Sequence, residues 1–110
     1  MGTFKEHSRF QLEATKLGRS VVFQVTVFER KGKGTPKLYA ETHCYDALQY
    51  MIQFVVRDAS TLDGVIERFV AQLLHRGFNP QSYRVKTDAG RWDEWTSLEQ
   101  VVKANATQSA

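Results

Sequence analysis

Four cations lie close together on a glycine-rich segment and are of a type that binds phosphate. They are Arg30, Lys31, Lys33 and Lys37. Lys and Arg side chains attract the phosphates of nucleic acids through charge, and aromatic rings provide faces on which unpaired bases stack. Phe28 and Tyr39 stand at the two ends of this segment, and Arg19 adds a further cation nearby in the sequence. The pattern predicts a non-enzymatic protein that binds single-stranded DNA or RNA.

The charge distribution favours this segment as the binding element. Residues 1–40 contain eight Lys or Arg and three acids. Residues 41–110 contain seven Lys or Arg and nine acids. The run Lys31-Gly32-Lys33-Gly34 lacks both the Lys-Ser/Thr ending of a phosphate-binding P-loop and the aromatics of an RNP motif. The alternative to nucleic-acid binding is that this segment is a solvated hairpin tip. Its charges would then keep the flanking strands from pairing with other chains.

Two tryptophans form the second feature with functional chemistry. Trp92 and Trp95 bracket Asp93 and Glu94, and on a strand their indoles would face opposite sides. One ring would then enter the core and the other would contact a protein partner, because exposed Trp is a frequent interface anchor. The alternative is that both rings cover edges of the core. This region predicts the second candidate function, a protein-interaction module such as an assembly factor or inhibitor.

The residue types used in catalysis and metal binding are sparse. His43 and Cys44 are adjacent, and neighbours on a strand point to opposite faces, so His43 is badly placed to activate the thiol. Cys44 is predicted to be a small core residue. The histidines are isolated from one another, with no pair at metal-ligand spacing. The expectation is therefore no enzyme activity, no cofactor and no metal.

Length and composition bound the class of protein. The chain has 110 residues, a net charge of +3, 42% hydrophobic residues and a single cysteine. These values predict one domain over residues 1–104, followed by a disordered C-terminal tail over 105–110. No apolar run is long enough to span a membrane, and the lone cysteine favours a reducing cytoplasm. A homodimer is left open.

Alternating apolar and polar residues predict the elements that would position these groups. The alternation marks strands over residues 10–15 and 21–28, with a turn at Lys16-Leu17-Gly18-Arg19. Gly32, Gly34 and Pro36 then break the chain, and a third strand is predicted over residues 37–43. Residues 47–57 fit both a strand and a helix. Their enrichment in Tyr, Ile, Phe and Val favours the strand.

A helix with one apolar face is predicted over residues 60–76, started by Ser60 with Asp63 and ended by Gly77. A small hairpin of residues 82–87 and 91–95 follows, and Thr96 with Glu99 would cap a short last helix. The prediction is an α+β fold: an antiparallel meander sheet of about four strands with one long amphipathic helix on one face, then the hairpin and the C-terminal helix.

Overall fold

A six-stranded antiparallel sheet forms the body of the part of the chain that the structure describes. The computed structural model describes residues 4–30, 37–45 and 51–108, and the side chains of 5–30, 37–42 and 53–105. The elements are β1 (Phe4–Lys16), β2 (Arg19–Arg30), β3 (Lys37–Tyr45), β4 (Met51–Ala59), α1 (Leu62–His75), β5 (Asn79–Val85), β6 (Thr96–Ser97) and α2 (Glu99–Gln108). The strand order is β4-β3-β2-β1-β5-β6, which confirms the α+β class.

The first four strands follow the predicted meander. Leu17 and Gly18 both have positive φ and join β1 to β2 in a two-residue turn, the type whose twist matches that of the strands. Residues 51–57 are strand, as the residue types favoured. Residues 46–50 lie outside the described part of the chain, as do the side chains of His43 and Cys44.

Five phenylalanines join the sheet to the helix. Phe10, Phe23 and Phe54 project from three strands, and they meet Phe69 of α1 and Phe78 just after it. Their rings pack edge to face, with centroids 5.4 to 6.2 Å apart, an arrangement that aromatic quadrupoles favour. All five are at most 4% exposed. This cluster is the centre of the hydrophobic core.

Both helices pack on the side of the sheet that carries these rings. The buried residues of α1 include Val65, Val70 and Leu73, while Leu98 at the start of α2 is fully buried in the same core. Helix α2 extends through Gln108 into the predicted tail 105–110. In the described part of the chain, no element covers the opposite side of the sheet.

Helix α1 also contacts the edge strand β4 through polar side chains. Gln72 Nε2 donates to the carbonyl of Val55, and Arg68 Nη1 donates to the carbonyl of Arg57, both at 2.6 Å. Backbone carbonyls on an edge strand have no second strand to pair with. Here the protein's own helix supplies their donors.

The start of α1 corrects one prediction. Its N-cap is Thr61, not Ser60, and Thr61 Oγ1 accepts a hydrogen bond of 3.0 Å from the Gly64 N–H. Thr61 has the extended backbone that an N-cap requires, with φ −136° and ψ 159°. The predicted capping pair was therefore one residue too early.

The predicted end of α1 is confirmed. Gly77 has φ +84° and its N–H donates to the Leu74 carbonyl. The Phe78 N–H donates to the Leu73 carbonyl at 2.9 Å, and together these two bonds form a Schellman motif. The motif turns the chain so that the Phe78 ring enters the core.

The predicted separate hairpin is wrong in two respects. Strand β5 begins at Asn79 and pairs with β1, so it belongs to the main sheet. Residues 91–95 make only one bridge, between Trp92 and Lys86, and the returning strand is β6. Thr96 lies in β6, and Ser97 Oγ accepts from the first N–H of α2, at Glu99.

Thr61→Ala is expected to lower the free energy of unfolding by about 1 kcal/mol, because it removes the hydroxyl that caps α1. The matched variant Ser60→Ala is expected to change it by less than about 0.5 kcal/mol, since Ser60 is exposed. Urea denaturation of both variants measures the difference. Equal destabilisation by the two would contradict the assignment of Thr61 as the cap.

Candidate nucleic-acid interface

The side of the sheet away from the helices is called the outer face. Strand alternation sends side chains to it from five strands. Its members include Arg9, Gln11 and Glu13 of β1; Gln24, Thr26, Phe28 and Arg30 of β2; Tyr39 and Glu41 of β3; Gln53, Val55 and Arg57 of β4; and Arg84 of β5. This face is mainly polar, and Phe28 and Tyr39 are its aromatic members among these residues.

A basic cavity lies at one end of the outer face, where β2 ends and β3 begins. It has a volume of about 310 Å³ and is lined by Arg30, Lys37, Tyr39, Arg57 and Asp58, together with Leu38. Three cations therefore meet one carboxylate in a concave site. Arg30, Lys37 and Tyr39 were predicted from the sequence, whereas Arg57 was not.

The two aromatic residues predicted for stacking are neighbours. Phe28 and Tyr39 are register partners on β2 and β3, and both rings are half-buried. The Tyr39 hydroxyl donates to Glu41 Oε2, and Gln53 Nε2 donates to Glu41 Oε1 at 2.5 Å. The bond to the Glu41 carboxylate raises the pKa of Tyr39, since it favours the protonated phenol. The Tyr39 ring is thus held in one orientation beside the cavity.

The remaining predicted phosphate contacts are not part of the described cavity. Arg19 is exposed at the first position of β2, eleven residues from Arg30. At about 3.4 Å per residue, the two lie roughly 37 Å apart along the strand. Lys31 and Lys33 lie in 31–36, outside the described residues. The cavity opens where that segment leaves and rejoins the sheet.

A second aromatic group lies on the same face, above β5. The Arg84 guanidinium carbon lies 5.2 Å from the ring centroid of Trp92 and 4.6 Å from that of Trp95. Arg84 Nε donates to Gln11 Oε1 at 2.7 Å. We call these four residues the Arg84–tryptophan cluster. The prediction that the indoles point to opposite sides was wrong, because residues 91–95 do not form a strand.

Burial distinguishes the members of the Arg84–tryptophan cluster. Gln11 is 8% exposed although it lies on the outer face, which indicates that the cluster covers this part of the sheet. Trp92 is half-buried, whereas Trp95 is 40% exposed. Trp95 is therefore the cluster's accessible aromatic surface.

The described residues contain no group of three or more His, Cys, Asp or Glu side chains placed to hold a metal ion. His7 and His75 are both exposed and lie on different elements, in β1 and at the end of α1. Among the described helices, none is long and apolar enough to cross a membrane.

Comparison of the chain with protein-family models, with curated proteins and with solved structures gave no match. The geometry of the outer face is therefore the basis for assigning a function.

Glu41→Gln is expected to lower the pKa of Tyr39 toward its usual value of 10.0, because the acceptor loses its charge. The measurement is a pH titration of phenolate absorbance, with Tyr39→Phe identifying this residue among the four tyrosines. Glu13→Gln removes another outer-face carboxylate, one that bonds Ser20 instead, and is expected to leave the titration unchanged. An unaltered Tyr39 titration in Glu41→Gln would contradict the bond.

Proposed function

We propose that this protein binds single-stranded DNA or RNA on its outer face. Phosphates contact Arg30, Lys37 and Arg57, and bases stack on Phe28 and Tyr39. The observation that supports this most is the meeting of three cations in one cavity beside a pair of aromatic rings. Around these groups, no helix or strand of the described part of the chain covers the sheet, which leaves room for a strand of nucleic acid.

Charge complementarity supports a phosphate ligand. Among the described residues that line the cavity, Asp58 is the one acid against three cations. Lys31 and Lys33 add two more cations between Arg30 and Lys37 in the sequence. Cations that neutralise phosphates release condensed counterions, so binding is strong at low salt and weakens steeply as salt rises. Arg30 and Arg57 can each also donate two parallel hydrogen bonds to one phosphate.

The aromatic pair favours an unpaired strand over a duplex. In a duplex the faces of the bases stack on one another, so Phe28 and Tyr39 have no base face to contact. In a single strand each base presents its face, and base–aromatic stacking is tolerant of sequence. The proposed ligand is therefore a single strand bound with little base preference.

The alternative function is a protein-interaction module that uses Trp92 and Trp95. Its support is the 40% exposure of Trp95, which suits an interface anchor. The cations and the Phe28–Tyr39 pair have no role in that function, so we rank it second. We further expect a non-catalytic, cytoplasmic protein, and homodimer formation stays a prediction.

The double variant Arg30→Ala/Lys37→Ala is expected to weaken binding of a labelled oligonucleotide and to reduce its salt dependence. Removing one cation that neutralises a phosphate of a single strand lowers the slope of log K against log salt by about 0.7, so the double variant should lower it by about 1.4. Arg57→Ala should lower it by about 0.7. Fluorescence anisotropy over a series of salt concentrations measures these slopes for DNA and for RNA.

Lys103→Ala is the matched control for these charge changes. Lys103 lies on α2, on the other side of the sheet, and pairs with Glu99 on the same helix. This substitution removes one positive charge and is expected to leave the salt slope unchanged. An absence of binding by the wild type at low salt, or equal slopes in all variants, would contradict the proposed function.

Phe28→Ala is expected to cost about 1–3 kcal/mol of binding free energy, the usual value of one base–aromatic stack. The salt slope should not change, because Phe28 neutralises no phosphate. Phe28→Leu keeps an apolar side chain against the sheet but has no ring, so it should lose a similar amount. Full affinity in Phe28→Leu would show that the ring does not stack on a base.

A further inference from the structure

We propose that the Arg84–tryptophan cluster is a second base-stacking site, reached by the same strand that occupies the basic cavity. This inference rests on the proposed function and adds to it the path and the approximate length of the bound strand. It assigns Trp95 to the nucleic acid rather than to a protein partner.

The cluster and the cavity belong to one continuous surface. Arg84 pairs with Gln11 on β1, and Gln11 pairs with Gln24 on β2. Gln24 is exposed and lies on the same face of β2 as Phe28 and Arg30. A strand leaving the cavity along β2 therefore reaches the cluster without crossing an edge of the sheet.

The cluster is held ready to stack before a ligand arrives. Gln11 fixes the Arg84 guanidinium through the hydrogen bond to Nε, and that guanidinium lies over the rings of both tryptophans. A cation–π contact of this kind holds an indole against the guanidinium. Trp95 is 40% exposed, which leaves part of its surface for contact with a base.

The charges around Trp95 indicate that it stacks on bases and does not bind phosphate, unlike the cavity. Asp93 and Glu94 are exposed and immediately precede it, and carboxylates disfavour a phosphate at this point. The nearby cation Arg84 is already engaged with Gln11 and the indoles. The cluster therefore contributes stacking and the cavity contributes phosphate neutralisation.

Sheet geometry sets the separation of the two sites. Four residues of β2 separate Phe28 from Gln24, about 14 Å at 3.4 Å per residue, and two strand spacings of about 4.8 Å separate Gln24 from Arg84. The combined distance is about 17 Å. A strand that keeps a stacked rise of about 3.4 Å per nucleotide covers this distance in about five steps.

The test measures affinity for oligothymidylates from about three to about twelve nucleotides long, a range that brackets this distance. In the wild type, affinity should rise once the strand reaches the cluster. Trp95→Ala should bind long strands at least about fivefold more weakly, the lower limit of one base stack, and short strands equally well. For Trp95→Ala, the slope of log K against log salt should match that of the wild type. Arg30→Ala/Lys37→Ala, in contrast, should weaken binding at every strand length.

Indole fluorescence provides a direct second measurement. The chain has two tryptophans, so Trp92→Phe leaves Trp95 as the only indole and Trp95→Phe leaves Trp92. Long oligonucleotides should quench the fluorescence of the Trp92→Phe variant, because the base stacks on Trp95. They should quench the Trp95→Phe variant much less, since Trp92 is half-buried.

The outcomes separate this inference from the proposed function. Binding of short and long strands with no effect of Trp95→Ala and no quenching of Trp95 would overturn the second site alone. In that case Trp95 would be left as the anchor for a protein partner. Failure of strands of every length to bind would overturn the proposed function and this inference together.

Discussion

The one-sided packing of the five phenylalanines is the interaction on which the rest of the structure depends. Phe69 and Phe78 bring α1 and its end against the rings of three strands, and α2 joins the same layer through Leu98. When one face of an antiparallel sheet packs against the core, the opposite face is available for contacts with solvent or a ligand. The basic cavity and the Arg84–tryptophan cluster both occupy this free face.

Local patterns were sufficient for the elements that are neighbours in sequence. Alternation located β1 and β2, and the glycine and proline break after β2 marked where β3 begins. Residue types favoured a strand for residues 51–57, and the apolar stripe of α1 predicted its packing. The pairing of β5 with β1, with Leu12 opposite Tyr83, could not be predicted in the same way. It joins residues about seventy positions apart, and nothing in either segment alone specifies that partner.

The same distinction applies to the candidate site. Arg30, Lys37, Phe28 and Tyr39 were predicted because they flank one loop of one hairpin. Arg57 was missed because it comes from β4, where Asp58 has φ +58° and the register with β3 shifts. The alternation of side chains along a strand was the available signal. Phe54 and Val56 point to the core, so Arg57, at an odd-numbered position, points to the polar face.

The hydrogen bonds from Gln72 and Arg68 to the carbonyls of β4 bear on how copies of this chain meet. They occupy acceptors on one edge of the sheet with donors from the chain's own helix. At the other edge β6 is two residues long. In the described part of the chain, growth of the sheet by adding a foreign strand is thus opposed at both margins. A partner on the broad outer face would be selected by side-chain chemistry rather than by backbone pairing.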